Sequence, residues 1–295
     1  MPRPRVGRFV TPAAEAEYRR VYQAGLAALP PPAETRDVPT RFGRVRVYRF
    51  GDGDGPPLVL LHGRAATSVM WLPNLAALAE RRRVYTLDLL GEGGLSEQTA
   101  PIGGPDDQVA WLTAVLDGLG VGTCHLVGVS MGGWLACAQA VRAPGHLVSL
   151  TLLDPACTLG RVPFEVVLRT IPAALPFTAS WGIPSFARWV NGGEPVPDDD
   201  PVARVISANL RHYRIALPPP AYPADDDLRS ITVPTLAVVA GRSVIHHPRE
   251  AFERAQALIP RVQAELWPHA THSIAGQCAA EVNARVLAFT AGVDA

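Results

Sequence analysis

The apolar positions along the chain change period several times, and each change marks an element. Residues 13–29 follow Thr11-Pro12 and carry Tyr18, Val21, Tyr22 and Leu26 at helical spacing. A threonine N-cap and a proline in the first turn open that helix, and Pro30-Pro31-Pro32 stops it. Residues 41–50 alternate instead, with Val45 and Val47 on one face and Arg44 and Arg46 on the other, as a half-buried strand does. After a turn-rich segment at 51–57, a continuous apolar run at 58–61 and the segments at 84–87, 124–129, 147–153, 235–240 and 262–267 predict strands. Helical spacing covers 70–81, 106–119, 131–141, 248–258 and 277–289. Apolar strands alternating with helices predict an α/β fold, an open and mostly parallel sheet covered on both faces.

That rhythm breaks at 156–230. Helical pieces at 164–170, 184–190 and 201–213 are separated there by proline- and aspartate-rich turns, without a strand pattern. The stretch is too long for a plain connection and predicts a helical insertion over the functional edge of the sheet. The expected layout is a helical extension at 1–40, a core at 41–155 and 231–295, and the insertion between. The N-terminal helix can dock on its own domain or on a second copy. Its own domain is the expectation, with a homodimer left open.

Composition narrows the chemistry. The 295 residues suit one large domain or one domain with an insertion, and 48% hydrophobic content leaves little case for disorder. Twenty-seven basic residues balance 27 acidic ones, which argues against nucleic-acid binding through bulk charge. Every basic residue is arginine, which excludes a lysine Schiff base and a Walker-type phosphate loop. Cys124, Cys137, Cys157 and Cys278 show no metal-binding spacing. The N-terminal segment lacks the apolar stretch of a secretory signal, and no run approaches the ~18 apolar residues of a membrane span. The expectation is a cytoplasmic protein without membrane, metal or cofactor.

Gly128-Val129-Ser130-Met131-Gly132 is the most specific feature. A strand is predicted to end at Val129 and a helix to begin at Met131, so Ser130 stands on a sharp turn where crowding requires the flanking glycines. This is the context of a nucleophile elbow, and the helix amides that follow can stabilise negative charge. A serine N-cap in a glycine-rich turn would satisfy the helix alone.

With Leu61-His62-Gly63-Arg64, Asp88-Leu89-Leu90-Gly91-Glu92-Gly93 and a histidine before the last helix, the chain from about 41 to 289 resembles the α/β-hydrolase superfamily. It looks most like bacterial carboxylesterase-like members with a helical cap, here 156–230. The resemblance implies an oxyanion hole from the amides of Met131 and Arg64, and a scaffolding role for His62. The Arg64 side chain would border the pocket, meeting an anionic group or pairing with an acid of the cap; pairing is the expectation. The general base would be His272, with His269 as fallback; Thr271 stands where the family usually has glycine.

The acid departs from the family pattern of Gly-x-x-Asp/Glu after the strand at 235–240. Here the segment reads Gly241-Arg242-Ser243-Val244-Ile245-His246-His247-Pro248, and valine cannot accept an imidazole N–H. Asp154, 24 residues after Ser130, is the candidate replacement. Some relatives take their acid from this strand, although an Asp-Pro pair can also simply cap a turn. Asp88 is expected to tether its loop, and the remaining histidines, His246 among them, to be structural or exposed. In the insertion, Trp181, Phe186 and Trp189 are candidate contacts for a small hydrophobic acyl substrate, although most of its aromatics are expected to pack as core. The resulting expectation is a serine hydrolase of esters, thioesters or lactones. Acyl transfer or cyclisation on the same scaffold, and a binding protein without turnover, remain alternatives.

Overall fold

The computed structural model describes residues 6–175 and 177–295. Its central sheet comprises β1 (Glu34–Thr40), β2 (Gly43–Phe50), β3 (Leu58–Leu61), β4 (Val84–Leu87), β5 (Cys124–Val129), β6 (Leu147–Leu153), β7 (Thr235–Ala240) and β8 (Val262–Trp267). The spatial order is β8-β7-β6-β5-β3-β4-β2-β1, and Glu97–Gln98 adds a short pairing to β2. β2 runs antiparallel to β1, to β4 and to Glu97–Gln98, and every other neighbouring pair is parallel.

The inner strands are covered on both faces, whereas β8, at the edge, is only half-buried. β3, β4, β5 and β7 are buried at every position. The helices before β6 are α1 (Pro12–Ala27), α2 (Leu72–Arg81), α3 (Pro105–Gly118) and α4 (Met131–Arg142), of which α2, α3 and α4 pack on the sheet. Between β6 and β7 lie α5 (Phe164–Ala174), α6 (Ala179–Val190), α7 (Pro201–His212) and α8 (Asp225–Arg229). α9 (Pro248–Leu258), α10 (Ile274–Gln277) and α11 (Ala279–Asp294) follow. Alternate side chains of a strand enter opposite cores. Leu126, Ala237 and Val239 pack with residues of α3, α4 and α9, whereas Val127, Leu236 and Val238 pack with residues of α2 and α11. Each fully buried leucine contributes roughly 1.5–3 kcal/mol. Among the described residues no helix is long and apolar enough to cross a membrane.

The sheet begins at Glu34, inside the segment expected as a helical extension ending at 40. β1 reads Glu-Thr-Arg-Asp-Val-Pro-Thr and buries only Val38. It is an edge strand, and its charges and proline suit an edge while erasing the period-2 apolar signal. α1 docks on its own chain, against α7. Tyr18 and Tyr22 are fully buried in that contact, and the Tyr22 hydroxyl donates to Asp88 at 2.6 Å.

The insertion differs from expectation in where its aromatics sit. Phe164, Phe177 and Trp181 are 73%, 80% and 56% exposed rather than packed as core. Along α5 the apolar stripe Phe164, Val167, Leu168 and Ile171 faces solvent. Helical spacing fixes which residues share a face, not which face is covered.

Candidate active site

β5 runs directly into α4, and Ser130 alone makes the turn, with φ 53° and ψ −117°. Such left-handed backbone is strained for a residue with a side chain, at a cost of about 1–3 kcal/mol. The neighbours must be glycine for steric reasons. A Cβ on Gly128 would lie 2.3 Å from the Gly132 carbonyl oxygen, and one on Gly132 would lie 2.2 Å from that of Leu61. The Ser130 carbonyl accepts the amides of Trp134 and Ala156, which anchors the turn to α4 and to the chain beyond β6.

Parallel neighbours bring the other groups to the same edge. Asp154 directly follows β6, and its amide donates to the Val238 carbonyl of β7. His272 lies between β8 and α10. Its Nδ1–H donates to Asp154 Oδ2 at 2.6 Å, and the Ser130 hydroxyl lies 2.9 Å from its Nε2. A carboxylate only accepts, so Asp154 fixes the tautomer that leaves Nε2 free to take the serine proton. Asp154 is fully buried. Burial works to raise its pKa, but hydrogen bonds from His246 and His272 outweigh that and hold it well below the usual carboxylate range. Thr271, where the family usually has glycine, has its own use. Its amide and hydroxyl both donate to Gln277 Oε1, tying the His272 loop to α10. His269 is mostly exposed, pairs with Glu281 at 3.2 Å and stacks on Trp267.

The loop after β3 passes against the serine, since a Cβ on Gly63 would lie 3.3 Å from that of Ser130. His62 supports it. Burial lowers the His62 pKa and keeps the ring neutral, so Nε2 can accept the Leu89 amide at 2.9 Å while Nδ1–H donates to the Gly63 carbonyl at 2.7 Å. Arg64 pairs with an acid, but not one of the insertion. Its guanidinium meets Glu92, on the loop after β4, at 2.7 Å. Glu92 also accepts the Ala65 amide, and Asn209 of α7 donates to the carbonyls of Ala65 and Glu92. One buried carboxylate thereby joins the two loops, and α7 clamps both. Met131 and Arg64 share the lining of a cavity of about 20 Å³ with Glu92, Trp134, Leu135 and Leu217. Asp88 tethers its loop, accepting the amides of Ser68 and Leu95.

Residues 58–285 match the sequence profile of the alpha/beta hydrolase family. The chain belongs to that family. Carboxylesterase YbfK of Bacillus subtilis is 31% identical over 283 residues, covering 93% of this chain and 94% of the relative. The crystal structure of carboxylesterase CesB (YbfK) superposes with a TM-score of 0.86 at 30% identity, covering 95% of this chain and 99% of that one. Naproxen esterase (carboxylesterase NP), also from Bacillus subtilis, gives 0.87 at 28% identity, with 95% and 99% covered.

Within this alpha/beta hydrolase the loop after β7 supplies donors rather than an acid. Ser243 Oγ–H donates to Asp154 Oδ2 at 2.7 Å, and His246 Nε2 lies 2.9 Å from Oδ1. Neither residue is legible in the sequence as a member of the site, because neither motif nor spacing ties them to a carboxylate some 90 positions earlier. Trp181, Phe186 and Trp189 sit on α6, Phe186 against Trp189 with ring centroids 5.9 Å apart. Trp181 and Phe186 line a cavity of about 410 Å³ between α5 and α6 whose lining includes none of Ser130, Asp154 and His272. Among the described residues, His269, Cys278 and Glu281 bring potential metal-ligand atoms within 4.8 Å of one another, a grouping that their spacing in the sequence does not reveal.

Proposed function

We propose that this chain is a serine hydrolase that cleaves carboxylic esters through an acyl-enzyme on Ser130. The observation that carries the reading is the unbroken chain of hydrogen bonds from Ser130 through His272 to Asp154, at 2.9 and 2.6 Å. Ser130 Oγ attacks the substrate carbonyl as its proton passes to His272 Nε2. The imidazolium formed is stabilised by the Asp154 carboxylate, which stays ionised. The amides of Met131 and Arg64 stabilise the developing oxyanion, an effect worth several kcal/mol where the donors are fixed in advance. His272 returns the proton to the leaving alcohol. It then takes one from water, whose oxygen attacks the acyl carbon, and returns that proton to Ser130 Oγ as the acyl bond breaks and the acid leaves.

Support comes from the two Bacillus relatives, both carboxylesterases by name. In the same reading α5 to α7 form a cap, because Asn209 of α7 bonds the loops that flank the serine. The apolar side chains beside Met131, namely Leu89, Trp134 and Leu217, suit a small hydrophobic group of the substrate better than Trp181 and Phe186, whose cavity is lined by none of the three residues of the hydrogen-bonded chain.

A steady-state series with p-nitrophenyl acetate, butyrate and octanoate tests the reading. Wild type is expected to turn over at least one of them, with Ser130→Ala and His272→Ala each reduced by about 10³-fold or more. Undiminished turnover by Ser130→Ala would refute it.

A further inference from the structure

Asp154 serves two histidines, and the mechanism above uses only one. His246, in the loop between β7 and α9, is 2% exposed, with its side chain wholly out of solvent. Its Nε2 faces Asp154 Oδ1, and its Nδ1 has no hydrogen-bond partner among the described residues. That pattern fixes the direction of the bond. A hydrogen on Nδ1 alone would set the Nε2 lone pair against the carboxylate, so Nε2 carries a hydrogen and donates it to Asp154.

Counting donors shows what this achieves. Oδ1 accepts from His246 and from the Ala240 amide at 2.9 Å, and Oδ2 accepts from His272 and from Ser243. Four donors match the roughly four lone-pair sites of a carboxylate. They come from the end of β7, the loop beyond it and the loop beyond β8, so the carboxylate plane is held from several sides. The titratable groups bearing on Asp154 are His246 and His272. Gly160 and Ala251, which pack against the His246 side of the loop, bring no charge.

We propose that His246, with Ser243, is a positioning residue that holds the Asp154 carboxylate in the orientation His272 requires. Without that hold the carboxylate has one donor fewer and is more basic, so a proton at His272 is held to higher pH, and its freedom to turn leaves the ring aligned with Ser130 less of the time. The proposal rests on the serine-hydrolase reading above, so its test is scaled to active sites counted independently.

The experiment compares wild type, His246→Phe, His246→Gln and Ser243→Ala, with active sites counted by fluorophosphonate incorporation and turnover followed with p-nitrophenyl butyrate. A glutamine amide can replace the lost N–H donor; phenylalanine fills the space without one. Expected for His246→Phe is kcat per active site lower by about 10- to 100-fold with KM within about twofold, as for a misplaced catalytic group. The acidic limb of its kcat/KM profile moves to higher pH. His246→Gln recovers most of the rate, and Ser243→Ala shows a smaller change in the same direction. A His246→Phe protein with the wild-type rate per active site and an unmoved pH profile overturns the proposal, as does a glutamine variant no better than phenylalanine. Should His246→Phe not fold, Ser243→Ala and His246→Gln decide: wild-type profiles in the first together with collapse in the second refute the positioning role. Failure of the underlying reading is distinguishable, because wild type itself would then incorporate no fluorophosphonate.

Discussion

Ser130, at φ 53°, and Asp154, at φ 43°, both adopt left-handed backbone that their side chains disfavour. Each sits where a strand ends and is held there by backbone bonds, Ser130 N–H to Leu153 and Asp154 N–H to Val238. Strain kept at such points aims a side chain at the sheet edge. Asp154→Asn is the sharpest single change at this scale. An amide in its place either presents N–H₂ to His272 Nδ1–H or forces the other tautomer, and kcat is expected to fall by roughly 10³- to 10⁴-fold. Near-normal kcat in that variant would show that Asp154 is not the acid. The serine was legible from sequence because glycine, serine and glycine fall at a strand–helix junction. Glu92 as the partner of Arg64 was not, since its nearest sequence signal is a glycine-rich loop and the pairing needs the fold to bring two loops together.

The elements show the same division. β3 to β8 were legible as apolar runs, whereas β1 was not, because an edge strand with one buried side chain has no apolar period to read. The helix over 13–29 was legible from Thr11-Pro12 and its spaced tyrosines, yet its purpose required the structure. Tyr22 reaches the buried Asp88 carboxylate, which also holds the loops carrying Ser68 and Leu95. Tyr22→Phe is therefore expected to destabilise the protein by about 1.5–3 kcal/mol, the range for a hydrogen bond to a charged group, as read by chemical denaturation. No measurable loss would mean that Asp88 does not depend on α1. Gly132→Ala drives a methyl into the Leu61 and His62 carbonyls at 2.2 and 2.6 Å. Backbone cannot yield as a side chain does, so a loss of about 3 kcal/mol or more, or failure to fold, is expected. A wild-type melting temperature would contradict the crowding that the elbow implies.

On the scale of the whole molecule, burial of ionisable groups sets the response to acid. His62 is depressed by burial and Asp154 by its hydrogen bonds in spite of burial, so for both the unfolded chain binds protons more readily than the folded one. Stability is thus complete above the unfolded values and lost as pH falls, first below about 6.5 through His62 and again below about 4 through Asp154. Denaturation curves at pH 8, 5.5 and 3.5 check this, and stability rising on acidification would contradict it. The α/β architecture was legible from alternating periods across the chain, and so were Ser130, His272 and Asp154, but the donors Ser243 and His246 that hold Asp154 were not, because they come from a loop some 90 positions away. In the proposed mechanism the acid stands just beyond β6 and the loop after β7 serves it. Fluorophosphonate labelling read by intact mass checks that placement on wild type, Ser130→Ala, Asp154→Asn and Val244→Asp. Expected are rapid labelling in wild type, none in Ser130→Ala, sharply slowed labelling in Asp154→Asn and no gain from Val244→Asp. Labelling indifferent to Asp154 and accelerated by Val244→Asp would put the acid in the loop after β7 instead.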